Sequence, residues 1–259
     1  MTTHPARTFG RRWFLTQTGR GVLGVAVLGV AGCTGSGQSA SESSAPSGAS
    51  STAPADSGST AAEGGLAWSR VDLGFVAAYV LVRGREAAVV DTGVGGSADE
   101  IGAVLDKAGP GWAGVRHVVL THKHPDHAGS IGDVLAQAAT ATAYVGAGDL
   151  PEVKAPRRLT ALGDGEEVFG LQVVATPGHT VGHLAVFDPD TKVLVAGDAL
   201  TNMGRLAGSN PQFTEDKAAA VASVRKLAQL APRTILVGHG PPVLDGATAA
   251  LNQLASSLA

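Results

Sequence analysis

Three of the eight histidines in this 259-residue chain fall within the stretch THKHPDH, where His122, His124 and His127 surround Asp126. Imidazole and carboxylate are the usual ligands of zinc and similar borderline ions. Two histidines separated by one residue on extended backbone point to the same side, because side chains alternate with a period of two. Asp126 and His127 then face a second point nearby, so the spacing suggests two metal positions rather than one.

Further candidate ligands follow a shared local pattern, in which an apolar run ends and a His or Asp comes next. HVVL precedes THKHPDH, LQVVA precedes TPGH with His179, KVLVA precedes GD with Asp198, and TILVG precedes His239. Short β-branched runs bounded by Gly or Pro read as strands. Four strand ends would therefore deliver ligands to one edge of a sheet system, which is how a rigid scaffold holds a polar site. Without a metal, so many buried imidazoles and carboxylates would carry a large desolvation cost. His183, in HTVGH, reads as a residue that orients a ligand or its loop from behind. Asp91, in VVDTG, has two readings, a carboxylate that braces a ligand and a plain strand end. His117, just before VVL, reads as structural.

The series THKHPDH, TPGHTVGH, AGD and GHG resembles the metallo-β-lactamase-fold superfamily, in its glyoxalase II-like branch, over roughly Leu66 to the C-terminus. That resemblance implies an α/β fold, a four-layer αββα sandwich with a dinuclear site between its sheets. By position, His122, His124 and His179 would hold one ion, Asp126, His127 and His239 the other, and Asp198 would bridge them. Two zinc ions are the implied cofactor, with iron or manganese as alternatives. Such a pair lowers the pKa of a shared water, so the expected activity is a metal-dependent hydrolase that uses a bridging hydroxide on a small ester, thioester or lactone. Asp126 would also be the catalytic proton acceptor as the tetrahedral intermediate breaks down.

Departures from individual branches narrow this expectation. Glyoxalase II enzymes continue past the last His into a helical domain that binds the glutathione thioester, and here about twenty residues follow His239. Class B β-lactamases lack a bridging Asp at the position of Asp198, so β-lactam hydrolysis is a secondary expectation. Lactonases of this fold share the full ligand set but often use a Tyr near the site, and both tyrosines here, Tyr79 and Tyr144, fall in predicted strands. An iron-dependent persulfide-type oxidoreductase is the alternative from a different class, because ligand type alone does not decide the metal. A non-catalytic metal-binding lipoprotein ranks last, since structural zinc sites are usually closed.

The N-terminus has its own logic. Residues 1–33 carry a twin-arginine pair in GRRWFL and then a short, Gly-broken apolar stretch, which resembles a twin-arginine export signal too short to span a bilayer comfortably. The sequence VAGC resembles a lipobox that would leave Cys33 to be lipidated. Cys33 is the single cysteine, so no intrachain disulfide can form, and lipid attachment gives it a purpose. The expected location is the outer face of a bacterial cytoplasmic membrane, with a secreted or periplasmic protein as the alternative. Residues 34–65 are rich in Ser, Ala, Gly and Thr and cannot bury a core, which suits a flexible tether.

Residues 66–259 have the length of one domain. A hairpin is expected across Gly84 (Val76–Arg83 with Glu86–Thr92) and another across DPDT (Leu184–Ala196). Helices are expected at Ala98–Ala108, opened by a Ser97–Glu100 capping box, at Ala128–Ala138, at about Glu215–Leu230 started by Thr214, and at Ala247–Leu258. The Gly-rich stretch DTGVGGSADE lacks the Lys-Ser/Thr ending of a phosphate loop. Trp68, Phe75, Met203, Leu206 and Phe213 flank ligand-bearing segments and read first as packing, second as pocket lining. With 22 acidic against 19 basic residues and no basic stripe, nucleic acid is excluded as a partner, and a small molecule is the expected substrate.

Overall fold

The computed structural model describes residues 65–258. The export-signal-like segment, Cys33 and the Ser/Ala/Gly-rich tether lie outside the described residues.

The N-terminal half of the domain runs through β1 (Ala67–Asp72), β2 (Ala77–Arg83), β3 (Glu86–Val90), α1 (Ala98–Ala108), β4 (Val115–Leu120), α2 (Pro125–Ala128), α3 (Ile131–Gln137), β5 (Thr142–Gly146) and β6 (Thr160–Leu162). The C-terminal half adds β7 (Glu167–Val168), β8 (Leu171–Ala175), β9 (Leu184–Asp188), β10 (Val193–Gly197), β11 (Leu200–Asn202), β12 (Leu206–Gly208), α4 (Lys217–Ala228), β13 (Thr234–Val237) and α5 (Ala247–Ser257). β1 to β6 form one mixed sheet in chain order, and a second is ordered β13-β10-β9-β8-β7. Both expected hairpins pair antiparallel, β2 with β3 and β9 with β10.

The strands are apolar on both faces, and the period of two sorts them. In β4, Val118 and Leu120 pack with Ile101, Leu105, Ile131 and Val134 of the helices on one side. Val119 points the other way, into a layer with Tyr79, Leu81, Val90, Val173, Leu184, Val186 and Leu236 between the two sheets. In β9 and β10, Ala185, Phe187 and Leu194 face a third layer with Val224, Leu227 and Leu251 of α4 and α5. Three apolar layers separate four layers of secondary structure, the αββα sandwich. The Tyr79 hydroxyl crosses the middle layer to donate to the Val237 carbonyl at 2.8 Å, tying β2 to β13 just before His239.

Several local expectations need correction. Ser97 precedes α1 but makes no side-chain cap; its hydroxyl donates to the Val94 carbonyl at 2.8 Å, and its backbone N–H donates to Ser130 Oγ at 2.7 Å. The helix expected over Ala128–Ala138 is two pieces divided at Gly129 and Ser130, because Pro125 starts α2 early and Gly129 is pinned to the Gly93 carbonyl. α4 is capped by Asp216, whose carboxylate accepts the Ala219 N–H at 3.0 Å, not by Thr214. Trp68 is core and Leu206 packs on the third layer, while Phe75, Met203 and Phe213 are exposed.

Candidate metal centre

β3, β4, β8, β10 and β13 end beside one another, and each hands the chain to a site residue: Asp91, His122, His179, Asp198 and His239. The THKHPDH stretch makes its two metal points by changing conformation midway. His124 is extended (φ −63°, ψ 147°), and Pro125 then opens α2, so the N–H groups of His127 and Ala128 return to the His124 carbonyl at 3.0 and 2.9 Å. One helical turn swings Asp126 and His127 away from the plane that holds His122 and His124.

Three overlapping groups of donors result: His122, His124 and His179; His122, His127 and Asp198; and Asp126, His127 and His239. Within each, one ligand atom per residue lies within 4.8 Å of the others. His124 Nδ1 sits 3.0 Å from His122 Nε2 and 2.9 Å from His179 Nε2. Asp198 spans the groups, with Oδ1 3.2 Å from His127 Nε2 and Oδ2 3.4 Å from His179 Nε2 and 3.2 Å from His239 Nε2. Asp126 Oδ2 lies 3.4 Å from His239 Nε2.

Outward hydrogen bonds decide which nitrogen of each ring faces inward. The Thr121 hydroxyl donates to Asp91, so it accepts from His122 Nδ1 at 3.0 Å. His127 Nδ1 donates to Asp91 Oδ2 at 2.8 Å, and His239 Nδ1 to the Phe75 carbonyl at 2.7 Å. The Thr214 hydroxyl donates to the Asn210 carbonyl, which obliges Ser209 to donate to Thr214 and to accept from His179 Nδ1 at 2.9 Å. Four rings thus turn Nε2 to a common space, and His124 turns Nδ1.

His183 stands apart from this set. Its Nδ1 donates to Thr176 Oγ1 at 2.7 Å and its Nε2 accepts the Asp198 N–H at 3.0 Å, so both nitrogens are committed. Burial and the neighbouring His179 push its pKa down to about 3, and the ring is neutral. Asp91 is buried in a left-handed conformation (φ 63°) and also accepts the Thr121 N–H at 2.7 Å, so one carboxylate braces His127 directly and His122 through Thr121.

Sequence reasoning missed Asp149. This buried carboxylate accepts from the Lys123 N–H at 3.0 Å, the Thr180 hydroxyl at 2.6 Å and the Gly182 N–H at 2.8 Å. It ties the loop of His122 and His124 to the loop of His179. Gly182 has no room for a side chain because a Cβ would collide with the Asp149 backbone. Thr121, Thr176 and Ser209 were missed as well. His117 is half-buried beside Tyr144, 3.3 Å from its hydroxyl, outside these groups.

Two observations test whether a metal pair fits. Asp198 Oδ1 is buried and makes no well-formed hydrogen bond, although His127 Nε2 lies 3.2 Å away, a costly state for a carboxylate oxygen unless a cation meets it. At Gly238 a Cβ would strike that same carboxylate and lie 2.6 Å from His127 Cε1, so the backbone leaves a cradle open there. Electrostatics agree with both. Contacts with Asp126 and Asp198 raise His239 to about 10. Burial acts to lower His127, but Asp198 and Asp91 outweigh it and raise its pKa well above the usual value. His179, where burial dominates, is held down to about 4. The carboxylates make a basin that favours cations: they hold His127 and His239 in the protonated form, while burial keeps His122 and His179 neutral.

The sequence profile of the metallo-beta-lactamase superfamily matches residues 71–239, a span that begins in β1 and ends at His239. The chain belongs to that superfamily. Within it, the hydroxyacylglutathione hydrolase of Ectopseudomonas mendocina is 36% identical over 146 residues, covering 54% of this chain and 53% of that protein. The chain thus spans about half the length of these curated relatives. A metallo-beta-lactamase family protein of Thermus thermophilus superposes with a TM-score of 0.60 at 27% identity, over 75% of this chain and 78% of that one. The protein TTHA1623, solved in a di-iron-bound form, has a TM-score of 0.55 at 27% identity, over 65% of this chain and 89% of that one. Superfamily membership and the His-rich site together make this chain a metallo-hydrolase, with clustered donors suited to a dinuclear metal site.

Proposed function

We propose that this chain hydrolyses a small ester, thioester or lactone with two zinc ions, His122, His124 and His179 holding one, Asp126, His127 and His239 the other, and Asp198 bridging. The single observation that carries the reading is the buried Asp198 Oδ1, without a well-formed hydrogen bond, among imidazoles whose inward nitrogens are set by hydrogen bonds behind them. When bound, such a pair supplies Lewis acidity and an acidified shared water. The chain's own contribution is positional: Asp91, Asp149 and His183 fix the donor loops so that little reorganisation is needed during reaction. Asp126 keeps part of its carboxylate solvent-accessible, with 27% of the side chain exposed, as a proton acceptor requires.

The hydroxyacylglutathione hydrolase relatives support thioester chemistry, but their similarity covers about half of their length, so the acyl group and the thiol carrier belong to the test. TTHA1623 was solved in a di-iron-bound form, so a protein of this fold accepts iron, and the second reading is iron-dependent persulfide-type oxidation at this chain's own donors. We further propose export and lipid anchoring through Cys33, on the strength of the arginine pair, the short apolar stretch and VAGC.

The deciding experiment is elemental analysis of the purified protein without added metal, followed by an ester, thioester, lactone and β-lactam panel. About two zinc ions per chain with turnover of the first three classes supports the hydrolase. Iron with oxygen uptake on persulfides replaces it. Asp126→Asn with full turnover removes the proton role.

A further inference from the structure

Beside His239 lies a recess of about 390 Å³ lined by Arg70, Gly74, Phe75, Asn202, Met203 and Gly240, among others. That volume is at the lower end of small-molecule sites. Its attachment to the metal centre is direct. The Phe75 carbonyl accepts His239 Nδ1–H, the Phe75 ring stacks on the His239 ring at 6.2 Å, and the Asn202 N–H donates to the His239 carbonyl at 3.0 Å. Whatever occupies the recess therefore borders a proposed ligand.

Arg70 is the unusual member. Only 12% of its side chain is exposed, yet its one ion pair among the described residues runs from Nη1 to Asp72 at 2.9 Å, and Asp72 is 66% exposed. Nε is buried with no partner. A desolvated guanidinium N–H is costly to leave unsatisfied, and its natural complement is a carboxylate, which reaches Nε once the Arg70 side chain turns toward the recess it lines. The same recess is lined by apolar side chains, Phe75 and Met203, which are 63% and 76% exposed. Of the five large hydrophobics exposed among the described residues, four, Phe75, Val181, Met203 and Phe213, lie in loops that carry or touch site residues.

We propose that Arg70 is a specificity-determining residue that seats a substrate carboxylate beside His239, with the substrate's apolar part against Phe75 and Met203. The substrate class is thereby narrowed to amphipathic, carboxylate-bearing esters or thioesters. This inference rests on the hydrolase reading for its kinetic arm only.

The test uses a matched pair, monomethyl adipate and methyl hexanoate, which differ in the terminal carboxylate. The wild-type protein is expected to prefer the half-ester, and Arg70→Gln to raise its KM about ten-fold or more, the scale of a hydrogen bond to a charged group, with kcat and the neutral ester unchanged. Arg70→Lys should restore part of the preference. Equal effects on both esters, or no wild-type preference, overturn the proposal. An arm independent of turnover titrates adipate and hexanamide by calorimetry. Tighter binding of adipate that disappears in Arg70→Gln sustains the carboxylate seat even if neither ester is hydrolysed, an outcome that would sink the hydrolase reading alone. Should Arg70→Gln fail to fold, Asp72→Asn, which frees Nη1, must strengthen adipate binding; unchanged or weaker binding counts against the seat.

Discussion

His183 Nε2 accepts the backbone N–H of Asp198 at 3.0 Å, so this imidazole holds the loop of a metal-facing carboxylate and has no lone pair left for a metal. Removing it leaves the Asp198 N–H and the Thr176 hydroxyl buried without partners, each costing about 1–3 kcal/mol. His183→Ala is expected to lower stability on that scale and weaken metal affinity about 10–100-fold while keeping the metal stoichiometry of the parent. Chelator competition with elemental analysis checks this. Loss of one ion per chain at saturating metal would make His183 a ligand and contradict the geometry.

Asp91 separates charge from backbone strain in a useful way. It sits at φ 63°, a region Asn enters several-fold more readily than most residues, so Asp91→Asn keeps the backbone and removes the charge. Because the carboxylate accepts from His127 Nδ1, Thr121 N and Thr121 Oγ1, the variant should fold normally but bind metal about 10–100-fold more weakly. Near-UV circular dichroism and metal titration read the two effects independently. Unchanged metal affinity would reduce Asp91 to a strand end.

The difference between the site's inner and outer residues explains what the sequence makes legible. His122, Asp198 and His239 each lie one residue beyond an apolar run, and a strand end is a local pattern. Asp149 lies 31 and 33 residues from Thr180 and Gly182, and nothing near it signals those partners. Thr121, Thr176 and Ser209 are short polar residues of a kind that fills every loop, and each gains its role from a histidine brought close by the fold. The capping expectations failed for a similar reason: the Ser97 and Thr214 hydroxyls donate instead to the Val94 and Asn210 carbonyls, so local propensity yielded to loop hydrogen bonds that the fold sets up. Strands β2, β3, β4, β8, β9, β10 and β13 are legible because each is a short apolar, β-branched run, whereas the break at Gly129 depends on its contact with Gly93.

Gly238 gives a steric test of the cradle. A methyl group there meets the Asp198 carboxylate and the edge of His127, two groups held from behind by His183 and Asp91. Overpacking of a tight site costs about 1–3 kcal/mol, and here it falls on the donors themselves. Gly238→Ala should remain folded with metal content well below that of the parent, measured by elemental analysis after equilibration with excess zinc. Full occupancy would mean that the space between Asp198 and His127 is not where an ion sits.

Asp188, remote from the metal, sets an acid limit on the fold. Its buried carboxylate accepts from Arg83 Nη2 at 2.8 Å and from the Thr191 hydroxyl and N–H, joining the end of β9 to β2 of the other sheet. Burial acts to raise its pKa, but the Thr191 and Arg83 contacts outweigh it and place the folded value below the ordinary 3.8. A depressed acid contributes stability that is fully present above its unfolded value and disappears as pH falls through the folded one. At neutral pH, Asp188→Asn should therefore cost about 1.5–3 kcal/mol, the range for hydrogen bonds to charged groups. The gap between parent and variant should hold down to about pH 5 and narrow only as pH falls past the ordinary 3.8 toward the lower folded value. Urea midpoints across that range measure it, and a gap that widens toward acid would reverse the sign and place the stabilisation in the protonated form.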